Sequence, residues 1–139
     1  MNEHGPQGGD EINILRAGAN YGWPLLTFGQ EYAGGPVGEG KSAAPEYADS
    51  IWRWTPSIAP SGMAFYQGDI FPEFSGDLLV SSLKFHSLYR IVLEHENPIR
   101  QSIIFKNKIG RIRDIEIAPD GIILILSDED QGGLYRLSR

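Results

Sequence analysis

From residue 63 onward, the chain alternates short apolar segments with turns that are rich in Gly, Asp and Pro. Short apolar segments bounded by such turns predict β-strands, and the apolar period of a helix is nearly absent. The first four predicted strands are residues 63–66, 77–83, 87–93 and 102–106. Four strands in succession fit one antiparallel meander, which is the unit that forms a blade of a β-propeller.

A second group of strands is predicted after Gly110. Its members are residues 112–117, 122–126 and 134–137, and Pro-Asp-Gly at residues 119–121 supplies the turn between the first two. A sheet of three strands has an unpaired edge, and the segment Ile-Ile-Leu-Ile-Leu in this group is too apolar for an unprotected sheet. We therefore expect a fourth strand from elsewhere, as when both chain termini close a ring of blades.

The blade count decides the expected domain organisation. Seventeen Gly, nine Pro and 11% aromatic residues describe a loop-rich, all-β protein. A propeller needs at least about four blades, whereas this chain supplies two to three. Residues 1–139 are therefore predicted to be the C-terminal part of a single β-propeller domain whose N-terminal blades are absent from this chain. A small self-contained β-sandwich is the alternative.

Charge and composition exclude several classes of protein. The net charge of -6 leaves no basic face for nucleic acid. No apolar run approaches the roughly 20 residues of a membrane helix, and the first four residues lack the features of a secretory signal. The absence of Cys rules out disulfides and thiolate zinc sites without fixing the compartment.

The first loop of the chain is a candidate cation site. In residues 3–11, Gly and Pro bend the backbone and leave its carbonyl groups uncovered, and Asp10 and Glu11 follow directly. Calcium takes about six to eight oxygen ligands, so carbonyl groups beside carboxylates suit it. The alternative is a polar turn that enters a predicted strand at residues 12–15.

The middle of the chain is predicted to be mostly irregular. Residues 33–44 are rich in Gly, Ala and Pro and are expected to form a long surface loop. Alternation in the short segment that follows places Trp52 and Trp54 on one face and Arg53 on the other. Residues 56–62 contain two prolines and are expected to be irregular.

Three basic residues form a candidate anion site. Lys84 ends a predicted strand, and Arg111 and Arg113 project from one face of an extended segment. Two Arg side chains on one face repel each other unless an anion or carboxylates lie between them. The alternatives are that Asp114 or Glu116 neutralises the pair, or that both side chains lie in solvent.

No nucleophile or metal motif accompanies these residues. His4, His86 and His95 have no metal-ligand spacing with one another and are expected to be exposed turn residues. The chain contains no Gly-x-Ser-x-Gly elbow, P-loop or Gly-x-Gly-x-x-Gly sequence.

Four motifs in fixed order carry a family resemblance. They are GPQGGDEIN (5–13), NYGWP (20–24), PSIAPSG (56–62) and GRIRD (110–114). In this order they resemble the C-terminal half of the soluble quinoprotein sugar dehydrogenases, the glucose/sorbosone and aldose sugar dehydrogenase family. The resemblance implies a six-bladed β-propeller that uses pyrroloquinoline quinone (PQQ) and calcium, and it covers nearly the whole chain.

The resemblance implies two calcium sites. By position, the carbonyl groups of Gly5 and Pro6 match those that hold the cofactor calcium, with the quinone completing its shell. Glu11 and Tyr21 match the ligands of a second, structural calcium, with Tyr21 expected to act through its carbonyl group.

The resemblance also implies a set of cofactor-binding residues. Lys84 matches the lysine that reaches the quinone, and the arginine pair matches the two cofactor-binding arginines. The full implied set is Tyr32, Ser57, Leu83, Lys84, Phe85, Arg111 and Arg113. The cofactor is planar and carries several carboxylates, which Arg, Lys and aromatic side chains suit.

The implied activity is oxidation of an aldose at its anomeric carbon, with hydride passing to calcium-bound PQQ. The family's general base is a histidine of the N-terminal half, so no residue of this chain is assigned as catalytic and the chain alone is expected to be inactive. The implied partners are a sugar and an external electron acceptor, with a homodimer left open, in the periplasm or outside the cell. The rival hypothesis is a non-catalytic propeller that binds a carbohydrate or protein partner and keeps its calcium loops for stability.

Overall fold

A computed structural model describes all 139 residues and divides them into two compact units, Met1–Ala59 and Pro60–Arg139. Both units are built from antiparallel β-sheet, and the one helical element is a short 3-10 helix, Pro72–Phe74. No helix has the length and apolar character needed to cross a lipid bilayer.

The first unit contains one small sheet and a long loop. Its strands are β1 (Asn2–Glu3), β2 (Asp10–Ile12) and β3 (Trp52–Trp54), in the order β1-β2-β3. Residues 13–51 contain no strand, which agrees with the predicted loop at residues 33–44. The rings of Trp52 and Trp54 meet edge to face with centroids 6.5 Å apart, as expected for side chains on one face.

The strand predicted at residues 12–15 is displaced. The observed strand β2 begins at Asp10 and ends at Ile12, because Asp10 pairs with Trp54 and Ile12 with Trp52. The prediction was wrong in its bounds because apolar character was used to find the strand. Asp10 is polar and fully buried. Its backbone pairs in the sheet, and its side chain accepts a hydrogen bond from the preceding loop.

The second unit contains two sheets. Its strands are β4 (Pro60–Phe65), β5 (Leu78–Ser82), β6 (Ser87–Glu94), β7 (Asn97–Lys106), β8 (Ile112–Ile117), β9 (Ile123–Ser127) and β10 (Leu134–Leu137). Strands β4-β5-β6-β7 form a four-stranded antiparallel sheet, and β10-β9-β8 form a three-stranded one. The predicted meander and the predicted three-stranded group are therefore both confirmed.

Apolar side chains from both sheets form the core of this unit. Strand alternation directs Leu79 and Leu88 of the first sheet and Ile112 and Ile123 of the second into one buried cluster. A side chain of β4 is tied to the backbone of β8, because Ser61 Oγ donates to the Ile112 carbonyl at 2.6 Å. The motifs at residues 56–62 and 110–114 thus meet where the two sheets join.

Two strands of this unit begin earlier than predicted. Strand β4 starts at Pro60, so residues 60–62 are not irregular as expected, and a register shift follows Pro60. Proline is compatible with the first position of a strand because it has no ladder hydrogen bond to lose there. Strand β7 starts at Asn97 and includes Pro98, which is tolerated because β7 is the outermost strand of its sheet.

The turns of this unit follow the sequence more closely. Gly121 has φ +84° and its N–H donates to the Ala118 carbonyl at 2.8 Å, so the Pro-Asp-Gly turn is confirmed. His86 and His95 lie in the turns before β6 and β7, both with positive φ. These two histidines are turn residues, as predicted.

Candidate functional site

The glycine-rich loop of the first unit is organised by a buried carboxylate. Asp10 is fully buried, and its Oδ1 accepts a hydrogen bond from the Gly5 N–H at 2.8 Å. Its Oδ2 accepts from the N–H groups of Ile58 and Ala59 at 2.7 and 2.8 Å. The Ser57 hydroxyl donates to the same carboxylate at 2.6 to 2.8 Å. Asp10 therefore fixes the loop at residues 5–9 against residues 57–59.

The two predicted carbonyl ligands lie in this loop. A Cβ on Gly5 would overlap the carbonyl oxygen of Gly8, so only glycine fits the tight turn. The Pro6 carbonyl accepts the N–H of Gln30 at 2.8 Å. A carbonyl oxygen has a second lone pair, so this hydrogen bond is compatible with a cation at Pro6.

Glu11 and Tyr21, predicted to share a calcium site, line one small polar cavity. Its volume of about 10 Å³ suits a single water molecule or ion. Asp49 and Ser50 add further oxygen atoms to its wall. The remaining lining residues are Leu26, Thr27, Phe28, Ser42 and Ala48. The structure thus brings the two predicted residues together and adds a second carboxylate.

The electrostatics of this cavity favour a cation. Burial, the largest cause, raises the pKa of Glu11, and the charge of Glu3 also raises it, whereas hydrogen bonds from Asn13 and Ser50 and the charge of Arg53 lower it. The net shift is upward, so Arg53 does not fully offset the burial of this carboxylate, and a bound cation would supply the remaining counter-charge. The Tyr21 hydroxyl donates to the Ile14 carbonyl at 2.6 Å and accepts from the Arg16 N–H at 2.9 Å.

No cluster of three or more His, Cys, Asp or Glu side chains in the structure could hold a metal ion. Calcium is not restricted to such clusters, because main-chain carbonyl groups and hydroxyl groups also bind it. The carboxylates at this cavity belong to Glu11 and Asp49. They fit calcium only together with main-chain carbonyl or hydroxyl oxygens as further ligands.

In the second unit, the predicted lysine lies at the tip of a hairpin. Residues 83–86 form the turn between β5 and β6, with Leu83 buried and Lys84 exposed. Ser82 Oγ accepts the N–H of Phe85 at 3.0 Å, which fixes the turn. The ammonium group of Lys84 lies 5.5 Å from the centre of the Phe85 ring, and that of Lys106 lies 5.4 Å from it. The turn therefore places two cations near one aromatic ring.

The arginine pair shares one carboxylate. Arg113 Nη2 donates to Asp128 Oδ2 at 2.8 Å, and Arg111 donates to the same oxygen through Nε at 3.1 Å and Nη2 at 2.9 Å. The pair lies on one side of the chain, as the alternation predicted. Neither carboxylate considered from the sequence is the partner, because Asp114 accepts the N–H of Ile115 and Glu116 has no contact with either guanidinium group.

The position of the pair follows from a bulge in β8. The register between β8 and β9 shifts between Ile112 and Asp114, so Arg113 is the additional residue. The Arg111 and Arg113 side chains remain 45% and 48% exposed. Hydrogen bonds from Arg113 and then Arg111 lower the pKa of Asp128.

Tyr32 and Ser57 are the remaining predicted cofactor-binding residues. Tyr32 is 82% exposed. Ser57 is partly buried and its hydroxyl donates to Asp10. Within the first unit, Gly5, Pro6 and Ser57 belong to the Asp10 network, and Glu11 and Tyr21 to the polar cavity. Within the second unit, the hairpin tip carries the lysine and its two neighbours, Arg111 immediately precedes β8, and Arg113 lies in β8.

Sequence reasoning missed three acidic residues. In the sequence, Asp10 is only one of two adjacent carboxylates, and no neighbouring residue indicates that it is fully buried. Asp49 and Asp128 lie in polar stretches that look like ordinary surface. A buried glycine-rich loop needs acceptors for its N–H groups, and that requirement could have singled out Asp10.

The family is established by comparison with known proteins. A family model described as Glucose / Sorbosone dehydrogenase matches residues 1–136, and the chain belongs to this family. The curated aldose sugar dehydrogenase YliI of Escherichia coli (strain K12) is 39% identical over 139 residues, which are 99% of this chain and 38% of that protein. The resemblance stated from the four motifs is therefore confirmed.

Solved structures agree. A crystal structure of a glucose dehydrogenase superposes with a TM-score of 0.94 at 38% identity, covering 99% of this chain and 40% of that one. The soluble aldose sugar dehydrogenase (Asd) from Escherichia coli in the apo-form superposes with a TM-score of 0.87 at 37% identity, covering 99% and 40%. The chain thus spans about two-fifths of the length of these relatives. The predicted fold class, an all-β part of a six-bladed β-propeller, is confirmed.

Proposed function

We propose that this chain is the C-terminal part of a quinoprotein that oxidises an aldose at its anomeric carbon, with calcium-bound PQQ as the hydride acceptor. The observation that carries the proposal is the arginine pair, in which two guanidinium groups share one carboxylate and remain about half exposed. Like charges held together at a surface favour an anionic ligand, and Arg suits the bidentate geometry of a carboxylate. Membership of a sugar dehydrogenase family supports the reaction class.

Calcium is proposed at two places in the first unit. Gly5 and Pro6 would offer main-chain oxygens from a loop that Asp10 holds rigid, so little ordering is left for the moment of binding. Glu11 and Tyr21 would hold a structural ion at the polar cavity. The fit there rests on the cavity's size and on the desolvated carboxylate of Glu11.

PQQ is proposed to be bound through its carboxylates by Arg111 and Arg113 and approached by Lys84 at the hairpin tip. Leu83 and Phe85 would supply apolar contact. Tyr32 and Ser57 are proposed as cofactor contacts from the family resemblance alone. When bound, the calcium-held quinone supplies the electrophile that accepts hydride. The chain's own residues bind and orient carboxylates, and the ammonium group of Lys84 places positive charge where negative charge develops.

The general base is proposed to be a histidine outside this chain, so the chain alone should bind the cofactor weakly and turn over nothing. The proposed setting is the periplasm or the cell exterior, with an aldose as substrate and an external electron acceptor. A homodimer remains an option for the assembled protein.

A second candidate is a non-catalytic propeller that binds a carbohydrate or protein partner. The polar cavity favours this second candidate if a calcium ion bound there only stabilises the fold. Such a scaffold has no evident use for the three cationic side chains of Lys84, Arg111 and Arg113, so the enzyme is preferred.

The test uses the longer protein that carries this chain. It combines a titration of PQQ in the presence and absence of calcium, followed by visible absorption, with an assay of aldose-dependent dye reduction. The proposal expects calcium-dependent quinone binding and dye reduction only after loading. Calcium binding with no quinone binding would favour the scaffold.

A further inference from the structure

The arginine pair is held by a residue with no assigned role. All three hydrogen bonds from Arg111 and Arg113 end on a single oxygen, Asp128 Oδ2, at 2.8 to 3.1 Å. Adjacent guanidinium groups repel each other, and a carboxylate between them offsets that repulsion. Asp128 is therefore the counter-charge that allows the two side chains to lie together.

The backbone fixes Asp128 independently of the guanidinium groups. Its N–H donates to the Arg111 carbonyl at 2.8 Å. The neighbouring Glu129 accepts the Arg111 N–H through Oε1 at 2.8 Å. Gly110 has φ +76°, a left-handed conformation that favours glycine, and it lies against the Glu129 carboxylate. Residues 128–129 are thus held against residues 110–111 by contacts that do not involve the guanidinium groups of Arg111 and Arg113.

Asp128 leaves the pair able to bind a second anion. Asp128 is the one carboxylate paired with the two guanidinium groups, because Glu129 accepts the backbone N–H of Arg111 instead, so one of their two positive charges has no ion-pair partner. Each guanidinium group has five N–H donors, and the bonds to Asp128 use two of Arg111 and one of Arg113. Because both side chains are about half exposed, the other donors can be reached by a ligand.

We propose that Asp128 is a positioning residue, which orients Arg111 and Arg113 to receive a carboxylate of the ligand while offsetting only one of their two charges. The inference rests on the proposed function for the identity of that ligand. The opposite role, an internal carboxylate that competes with the ligand for the arginines, predicts the opposite effect of removing it.

The binding test compares Asp128→Asn with Asp128→Glu and with Asp130→Asn. Asp130 is an exposed acid of the same segment, and no contact joins it to either arginine, so its variant removes one negative charge without removing the clamp. In titrations of PQQ at fixed ionic strength, we expect about tenfold weaker binding for Asp128→Asn, following the loss of a charge-assisted hydrogen-bond network. Asp128→Glu should recover most of that loss, and Asp130→Asn should bind like the unmodified protein.

A second measurement keeps the inference separate from the proposed function. The Arg111 Nε–H group donates to Asp128, so its proton NMR signal should be protected from solvent exchange, and the protection should disappear in Asp128→Asn alone. If the unmodified protein binds no PQQ but shows this protection, the proposed function fails and the same titrations with citrate, a simple tricarboxylate, test the positioning role. Unchanged protection in Asp128→Asn, equal affinities in the two Asn variants, or tighter binding by Asp128→Asn would each overturn it.

Discussion

Ser57 donates its hydroxyl hydrogen bond to the carboxylate of Asp10, with Oγ 2.6 Å from Oδ2 and 2.8 Å from Oδ1. The two residues are 47 positions apart in the chain. Their contact joins the glycine-rich motif at residues 5–13 to the motif at residues 56–62. A buried carboxylate that accepts several hydrogen bonds depends on each donor, so the contact is sensitive to a change in either partner.

The first prediction concerns the stability of this network. A buried donor without its acceptor costs about 1–3 kcal/mol, so Asp10→Asn is expected to lower the free energy of unfolding by about 3 kcal/mol or more. Ser57→Ala removes one donor and should cost about 1 kcal/mol. Denaturant unfolding measures both, with Glu46→Gln, an exposed acid of the same unit, as the control. An Asp10→Asn variant as stable as the control would contradict the network.

The second prediction concerns calcium. A ligand that binds only the native state stabilises it by about 2.7 kcal/mol at a concentration one hundred times its dissociation constant. Chelation of calcium should therefore lower the melting temperature. Glu11→Gln should abolish most of this dependence, whereas Glu46→Gln should keep it. The proposed structural calcium site would be refuted by a melting temperature that chelation leaves unchanged.

The third prediction is a pH dependence of the calcium-free protein. The pKa of Glu11 is raised in the folded state, mainly by burial. Its contribution to stability is therefore present below the unfolded pKa and is lost as pH rises through the folded pKa. Stability measured without calcium should fall across that window, and Glu11→Gln should flatten the fall. A fall of the same size in Glu11→Gln would assign it to another group.

The fourth prediction concerns the affinity for the quinone. A hydrogen bond to a charged group contributes about 1.5–3 kcal/mol, so Arg111→Ala or Arg113→Ala is expected to weaken PQQ binding about ten- to hundredfold. Half-exposed side chains place the loss below that of a fully buried ion pair. Arg100→Ala, an exposed arginine of β7, is the matched control in the titration. Affinities equal to the control's in both variants would reduce the pair to surface charge.

The fifth prediction separates binding from turnover. If Lys84 acts on the reacting end of the quinone, Lys84→Ala should lower kcat of the longer protein more than it raises the dissociation constant of PQQ. Lys106→Ala is the matched control, because its ammonium group lies at a similar distance from the same Phe85 ring. Steady-state kinetics and quinone titration together give the comparison. Equal losses of kcat in the two variants would argue against a special role of Lys84.

The strands of the second unit were largely predictable from the sequence. Their apolar segments alternate with turn residues, and a turn such as Pro-Asp-Gly restricts the chain within three residues. The four motifs also identified the family, because motif order is a property of the sequence itself. The bounds failed at Pro60, where two prolines predicted irregular structure although the first position of a strand tolerates proline, and at Asn97, where the mostly polar residues 97–101 gave no strand signal.

The arrangement within each unit was decided by the tertiary structure. Asp128 meets Arg111 from 17 positions away, and Glu11, Tyr21 and Asp49 reach one cavity only because a long loop returns to its sheet. Local sequence determines which residues are extended or turned, since propensity and alternation act over a few positions. The partner of a buried or paired charge depends instead on which distant segment packs beside it. For this chain, the sequence determined the strands, the family and the residues that could carry chemistry, and the packing decided which acids hold them in place.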